Sequence, residues 1–458
     1  VGSGRQAALR AALRIGRTIG ESRVLTDADV IERYGADESE QPPRVPDAVI
    51  LPRDATEAAR ALAIAAERSV AVTPRAGGTG KSGGAVPVEG GLVMGCDRLD
   101  RIKEIDPVDL VAVVEPGVVL ERLHDAVEEL GLFYPPDPAS LDACCLGGNV
   151  AENAGGPRAF KYGVTGHYVL GLQVVTGGGD AMRVGRRPVK GVAGYPLEQL
   201  FVGSEGTLGF FTEITLRLLP RPRAVRTLLA TFDGSCAACG AVVALLGAGV
   251  WPRVLEFLDG ECVRTVRDAG APVPAAGAML LVELDGLERG VEEQMEHAGN
   301  TLDAAGAGEV LVAEGPRQTA SLWRARRDLS EDLGRRATFK ISDDISVPRS
   351  RLVSTLEGID AAALRYGMTA ATFGHAGDGN LHVNLLWNDP DLDPRPAHRS
   401  VLDLAIAAGG TISGEHGIGS VKRGELSREL SGQALELSRG LKRLLDPAAV
   451  LNPGKVLP

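Results

Sequence analysis

At 458 residues the chain exceeds what one hydrophobic core usually spans, so two domains are expected, and a hydrophobic content of 44% suffices to fill both. A formal net charge of -11 excludes a nucleic-acid surface or an anionic membrane as the main partner, so an anionic substrate must be met by local positive charge. No apolar run reaches the ~18 residues of a membrane span; the longest, Ala241 to Val250, is broken by Gly247 and Gly249, and a cytoplasmic protein without a transmembrane segment is expected.

The first twenty residues carry Arg5, Arg10, Arg14 and Arg17 and no acid, a composition shared with organelle transit peptides. Ala8, Leu9, Ala12, Leu13 and Ile15 nevertheless read as a short amphipathic helix, with no apolar h-region or cleavage site after it. Val49 to Leu51 reads as a strand, Asp54 to Arg68 as a helix and Val70 to Thr73 as a second strand, a β-α-β opening. It runs into Pro74 to Gly84, too glycine-rich for regular structure. Strands are expected at Gly91 to Cys96, Leu110 to Val114, Val169 to Thr176 and Phe210 to Leu219. Pro220 and Pro222 close this region, because proline cannot continue a strand ladder.

Beyond that boundary, Leu228 to Phe232, Met279 to Leu284 and Thr369 to Phe373 read as strands, and Gly290 to Ala305 and Gln318 to Arg336 as helices, an α+β second domain. Asp446 to Lys455 reads as a helix stop and an extended tail. Six cysteines in so long a chain form no disulfide framework, which suggests a reducing compartment. Cys236-Ala-Ala-Cys239 has the spacing of a redox or metal pair, but no second pair completes a site, and small buried thiols are the preferred explanation.

Gly78-Thr-Gly80-Lys-Ser-Gly83 satisfies the dinucleotide pattern G-x-G-x-x-G, yet Gly83, Gly84 and Pro87 prevent the helix that pattern must open. A phosphate-binding P-loop needs glycine where Arg75 stands. What remains is a run of backbone N–H groups able to line a pyrophosphate without a helix, or a merely flexible loop. Two further glycine-rich stretches follow, Pro138-Ala-Ser140 with Gly147 to Gly156, and Phe201 to Gly209.

Near the C-terminus, Gly374-His375-Ala-Gly-Asp-Gly-Asn-Leu-His382 precedes Gly414-Glu415-His416-Gly417. Two imidazoles and a carboxylate can hold a divalent metal in three directions and leave a fourth for substrate, with His416 as a base. On these residues alone a hydrolytic metalloenzyme, or hydrogen-bonded structural histidines, fit as well. Alternation along Leu381 to Trp387 places His382 and Asn384 on one face, and Ala376 to Gly379 is a hairpin connection returning His375 to the same region.

The three glycine-rich segments, in this order and spacing, resemble the flavin domain of the vanillyl-alcohol oxidase/p-cresol methylhydroxylase (PCMH) superfamily. The likeness runs from about Asp27 to Pro458 and is strongest to its D-2-hydroxy-acid dehydrogenase branch, which includes D-lactate dehydrogenase, glycolate oxidase flavoprotein and D-2-hydroxyglutarate dehydrogenase. It implies an α+β protein: a PCMH-type FAD-binding domain at 1–222, an α+β cap domain with an antiparallel sheet at 223–446, and a tail at 447–458 returning to the flavin domain. It further implies noncovalent FAD, its pyrophosphate held by Arg75, Ala76, Gly77, Gly78, Thr79, Gly80, Ser82 and Gly83. Pro138, Ser140, Gly147, Gly148, Asn153, Gly155, Glu205, Gly206 and Leu208 would run beside the rest of the cofactor, with Asn452 as a further contact. Lys81 stands where the relatives usually carry an apolar residue.

By the same resemblance His375, His382 and Glu415 bind a divalent metal, His416 is the base, and Asn384, Arg326, Ser330 and Lys340 contact substrate. The ligand types suit zinc and leave manganese and iron(II) open. Lys340 lies two residues further from Pro348 than the family spacing, and Arg326 shares its helix with Arg324 and Arg327, as a solvated basic face would. The implied activity is metal-assisted oxidation of a small anionic D-2-hydroxy acid to the 2-oxo acid by hydride transfer to flavin N5. The alternatives are a flavin oxidase or non-redox flavoenzyme of the same fold acting on a specialised metabolite, or a non-catalytic flavin-binding subunit. With no cysteine cluster to carry electrons onward, the acceptor is oxygen or a separate quinone, cytochrome, electron-transfer flavoprotein or iron-sulfur subunit. No nucleic-acid partner is expected, and a homodimer is left open.

Overall fold

Asp54 accepts a hydrogen bond from the backbone N–H of Glu57 at 2.8 Å, and from that cap Ala55–Glu67 forms a helix whose Ala58, Ala61, Leu62 and Ala65 are buried. In the computed structural model, which describes residues 2–458, this helix and Gly2–Ile19 bury their apolar stripes in a common core with a four-stranded sheet. The strands are β1 (Val24–Leu25), β2 (Ala48–Ile50), β3 (Val72–Arg75) and β4 (Leu92–Gly95), in the order β1-β2-β4-β3, with β2, β4 and β3 parallel. The C-terminal tail lies along β3: Val72 N donates to Val450 O at 2.7 Å and Asn452 N to Val72 O at 2.8 Å.

A second, antiparallel sheet runs β5-β6-β10-β8-β9, from β5 (Ile102–Asp106), β6 (Val111–Val114), β8 (Val169–Val175), β9 (Ala181–Gly185) and β10 (Phe210–Arg217). A short pair joins β7 (Leu132–Phe133) to β11 (Leu219–Pro220). Pro220 was expected to end strand pairing, yet it stands opposite Leu132. At the edge of a two-residue ladder the missing N–H can face away from the partner. These sheets, with the helices named and His416–Pro458, form one compact unit of Val1–Gly155, Val164–Arg221 and His416–Pro458.

The other unit comprises Gly156–Gly163 and Pro222–Glu415. Its centre is a seven-stranded, wholly antiparallel sheet in the order β15-β12-β14-β13-β17-β18-β16. The strands are β12 (Ala224–Phe232), β13 (Val254–Asp259), β14 (Ala278–Gly286), β15 (Val310–Val312), β16 (Phe339–Ser346), β17 (Thr369–His375) and β18 (Asn380–Trp387). Side chains alternate between the faces of a sheet, so the pairings Glu256↔His375, Phe373↔His382 and His382↔Asp344 set these five residues on one face. Helices Gly260–Asp268 and Pro316–Gly334 cover the apolar part of that face. Cys262, Val266, Leu322, Leu329 and Leu333 pack there with Leu258, Met279, Leu281 and Phe373.

Gly156–Gly163 is tied to this unit by Lys161 and Tyr162, which both bond the buried Asp285 carboxylate, and by Phe160, whose ring lies 4.5 Å from that of Trp251. No described helix is long and apolar enough to cross a membrane.

Asp259 joins three elements at the end of β13. One carboxylate oxygen caps helix Gly260–Asp268 through Cys262 N at 2.8 Å, and the other accepts from Thr372 N of β17. Asp259→Ala removes a helix cap and strands a buried N–H, so urea unfolding is expected to show a loss of about 2–4 kcal/mol. Asp268→Ala, which breaks only an exposed pair with Arg336, should cost less than about 1 kcal/mol. Equal losses in the two variants would contradict the assignment.

Candidate active site

The chain leaves β3 at Arg75 and runs to Gly84 without a helix. Glycine is required at Gly77 because a Cβ there would stand 2.7 Å from Ala143 O and 3.2 Å from Cys144 Cα, backbone atoms that cannot yield. Gly78 and Gly83 take φ of +74° and +76°, the left-handed region that favours glycine. Arg75 folds back over Gly78 and donates to Ala36 O at 2.5 Å, while burial draws its pKa below the ordinary arginine value. Ala76 is 3.6 Å from where a Cβ on Gly148 would sit, so the second glycine-rich stretch abuts the first. Gly80 O accepts from Glu38 N at 3.0 Å beyond Thr79, and Lys81 pairs with Glu38 at 3.3 Å in an exposed position.

Within the second stretch, Ser140 O closes the turn that follows Pro138 by accepting from Cys144 N at 2.7 Å. Gly147 packs where a Cβ would come 2.6 Å from Pro116 Cβ. Asn153 ends the short helix Leu146–Glu152 in the left-handed region, its Oδ1 accepts from Gly166 N at 2.8 Å, and Gly155 is buried. In the third stretch Gly206 packs against Pro74 and Leu208 is half-buried. The Glu205 carboxylate accepts from Ile418 N at 2.9 Å and Gly419 N at 2.6 Å. Asn452 ties the segments together: its Nδ2 donates to Gly84 O at 3.0 Å and Glu205 O at 2.7 Å, and its Oδ1 accepts from Lys455 at 3.2 Å.

Ser82 Oγ lies 3.5 Å from Glu152 Oε1, whereas Glu152 Oε2 is closed to solvent and has no hydrogen-bond partner among the described residues. Burial, and then the neighbouring Glu205, push the Glu152 carboxyl well above the usual range. A cradle that side chains would fill, beside a carboxyl with one buried oxygen lacking a hydrogen-bond partner, fits a large polar cofactor such as FAD.

In the other unit β17 ends at His375 and β18 begins at Asn380, with Ala376 to Gly379 turning the hairpin. Glu415 is brought to the same face by its backbone N–H, which donates to the buried Asp344 carboxylate at 2.6 Å. Glu415 Oε1 lies 3.4 Å from His375 Nε2 and 3.4 Å from His382 Nε2. The two imidazole rings stand 5.2 Å apart at 87°. Bonds of about 2.0–2.1 Å to a tetrahedral ion would separate its ligands by about 3.3 Å, so the three side chains fit a divalent metal. They are the one such grouping found among the described residues. Burial pulls the His375 pKa down, but Glu256 and Glu415 outweigh it and hold the imidazole well above its ordinary value, as expected where a cation is favoured.

Glu256 escaped the sequence reading. Its Oε1 meets His375 Nδ1 and its Oε2 accepts from Arg326 Nε at 2.6 Å. Burial pushes this carboxyl up, but Arg326 and then His375 outweigh it and hold it at about 2. Arg326 is 9% exposed and stacks 4.4 Å from the Phe373 ring centre, whereas Arg324 and Arg327 on the same helix are exposed. Lys340 donates to Ser330 O at 2.6 Å and Ser330 Oγ at 3.2 Å, so these two meet each other. Asn384 is held by Ala371 O at 3.1 Å and Ser342 Oγ at 2.7 Å. His416 is half-buried and belongs to the first unit. The available signal for Glu256 was an acid inside the apolar run Val254-Leu-Glu-Phe-Leu258, which burial forbids unless it is paired.

Residues 46–185 match an FAD binding domain, and residues 221–456 match the C-terminal domain of FAD linked oxidases. The chain is 41% identical over 430 residues to glycolate oxidase subunit GlcD of Bacillus subtilis (strain 168), covering 92% of this chain and 91% of that one. It is 35% identical over 461 residues to D-2-hydroxyglutarate dehydrogenase of Xanthomonas citri pv. viticola, covering 97% and 96%. The structure of p-cresol methylhydroxylase with substrate bound superposes with a TM-score of 0.77 at 18% identity, over 100% of this chain and 97% of that one, and shows the shared fold.

Gly77→Ala is expected to reduce the flavin copurifying per chain to less than about a tenth, since the methyl drives the loop off residues 143–145 at a cost of about 1–3 kcal/mol. Lys81→Ala should leave flavin content unchanged. Full flavin in Gly77→Ala, read from the visible absorbance of the purified protein, would show that the loop does not hold the cofactor.

Proposed function

The chain belongs to the FAD-linked oxidases, and from that premise we propose that it oxidises a small D-2-hydroxy acid to the 2-oxo acid, with noncovalently bound FAD and a divalent metal, best suited by zinc. The observation that carries this reading is the triplet His375, His382 and Glu415 at metal-ligand separations on a buried sheet face, with the arginine Arg326 beside it. Bound FAD supplies N5 as the two-electron acceptor. A divalent ion held by the triplet supplies positive charge that acidifies the substrate hydroxyl.

The protein's own groups do the rest. Arg326 offers its guanidinium to the substrate carboxylate, and Asn384, Ser330 and Lys340 complete the polar surroundings of the acid. His416, peptide-bonded to Glu415, takes the hydroxyl proton while the α-hydride departs with two electrons and the C=O bond forms. Lys340 is engaged with Ser330, which supports an acid of glycolate or lactate size over one with a second carboxylate. A relative named as an oxidase subunit supports reoxidation by a separate protein, such as an iron-sulfur subunit, cytochrome or electron-transfer flavoprotein, ahead of a quinone or oxygen. Free cysteines support a cytoplasmic location.

Anaerobic stopped-flow spectroscopy with glycolate, D-lactate, L-lactate and D-2-hydroxyglutarate tests the reading. Glycolate and D-lactate are expected to bleach the flavin, and verified metal removal should slow bleaching by about 100-fold, equivalent to about 3 kcal/mol of charge stabilisation. Failure of all four acids would overturn the activity. An undiminished rate without metal would overturn the metal's part alone.

A further inference from the structure

Glu256 sits in the middle of β13, fully buried, and divides its two oxygens between two residues of the proposed site. Oε1 meets His375 Nδ1, and Oε2 accepts from Arg326 Nε at 2.6 Å. The register makes the first contact unavoidable, because Glu256 and His375 stand directly opposite each other across β13 and β17. The second comes from helix Pro316–Gly334, whose buried stripe of Leu322, Leu329 and Leu333 turns Arg326 inward.

A carboxylate between a guanidinium N–H and an imidazole can only accept, so His375 keeps a ring proton on Nδ1, and Nε2, the nitrogen 3.4 Å from Glu415 Oε1, is the one that gives up its proton to ligate a metal. The same carboxylate holds the guanidinium at Nε and thereby fixes the plane of the Arg326 head against the Phe373 ring, 4.4 Å away.

We propose that Glu256 is a positioning residue shared by both halves of the site, orienting His375 as a metal ligand through Nε2 and Arg326 as the anchor for the substrate carboxylate. This rests on the proposed function and adds to it the element that couples metal binding to anion binding. Glutamine cannot take its place. Both neighbours donate, and an amide has one accepting oxygen and one donating nitrogen, so one orientation sets N–H against the guanidinium and the other forces His375 to the Nε2–H tautomer, whose Nε2 cannot ligate a metal. Removing the negative charge also leaves Arg326 buried beside an imidazole without its counter-ion.

The test uses the full FAD-loaded chain, with zinc alone titrated against a competing chelator, and then oxalate titrated at saturating zinc through its perturbation of the flavin spectrum. Glu256→Gln is expected to bind zinc about 10- to 100-fold more weakly than wild type and oxalate about tenfold more weakly. Glu283→Gln alters another buried acid on the same sheet face, bonded to Thr227 and Trp323, and should change neither affinity by more than about threefold. Glu256→Asp, which keeps two accepting oxygens on a shorter stem, should recover part of both losses and serves if the glutamine variant does not fold.

Wild-type affinities in Glu256→Gln, or equal losses in Glu283→Gln, would overturn the shared role and leave the proposed activity standing. A wild-type chain that binds no zinc would overturn the metal reading together with this one.

Discussion

A one-residue slip of β17 against β13 would turn His375 to the opposite face of the sheet, away from Glu256, and the same slip between β17 and β18 would remove His382. The antiparallel register across β13, β17, β18 and β16 therefore decides whether the site exists. It aligns Glu256, Phe373, His375, His382 and Asp344 on one face, where Asp344 in turn fixes the backbone of Glu415. Two helices bury the apolar side chains that flank this polar cluster, so each charge in it must find a partner. Each does: Glu256 with Arg326 and His375, Asp344 with the Glu415 N–H and Ser413 Oγ.

The flavin-binding unit solves a different problem with different means. Its glycine-rich loops pack so tightly that a methyl group at Gly77 would strike the backbone of residues 143–145, and one at Gly147 would strike the ring of Pro116. Asn452 and Lys455 from the C-terminal tail donate to the carbonyls of Gly84 and Glu205, and Lys455 adds a second bond to the Val86 carbonyl, so the loop backbone in this close approach stays paired. Rigidity here comes from side chains bonded to loop backbone, in place of the helix that a dinucleotide-binding fingerprint would have required.

Local pattern made much of this legible. The β-α-β opening emerged with boundaries shifted by a residue or two, and the hairpin at Ala376 to Gly379 followed from its glycines and the alternation after it. Arg326, which the resemblance picked out, is told physically from Arg324 and Arg327 by its spacing from Leu322, Leu329 and Leu333, which puts it on the buried stripe of the helix. Strand β13 went unread because six residues with an acid in the centre fit no simple alternation, and with it went Glu256. Local pattern alone does not show strand β16, because its Ser342-Asp343-Asp344 run looks like a loop until His398 and Glu415 supply the partners that let both acids be buried. Pairing across a sheet is nonlocal, and no single sequence window contains it.

Anomalous X-ray scattering from crystals of the FAD-loaded chain, recorded above the absorption edge of the metal identified by fluorescence, tests the central claim most directly. The expected result is a single strong peak bonded to His375 Nε2, His382 Nε2 and Glu415. A metal bound elsewhere, or His375 and His382 directly hydrogen-bonded to Glu415 with no peak between them at full metal loading, would contradict it.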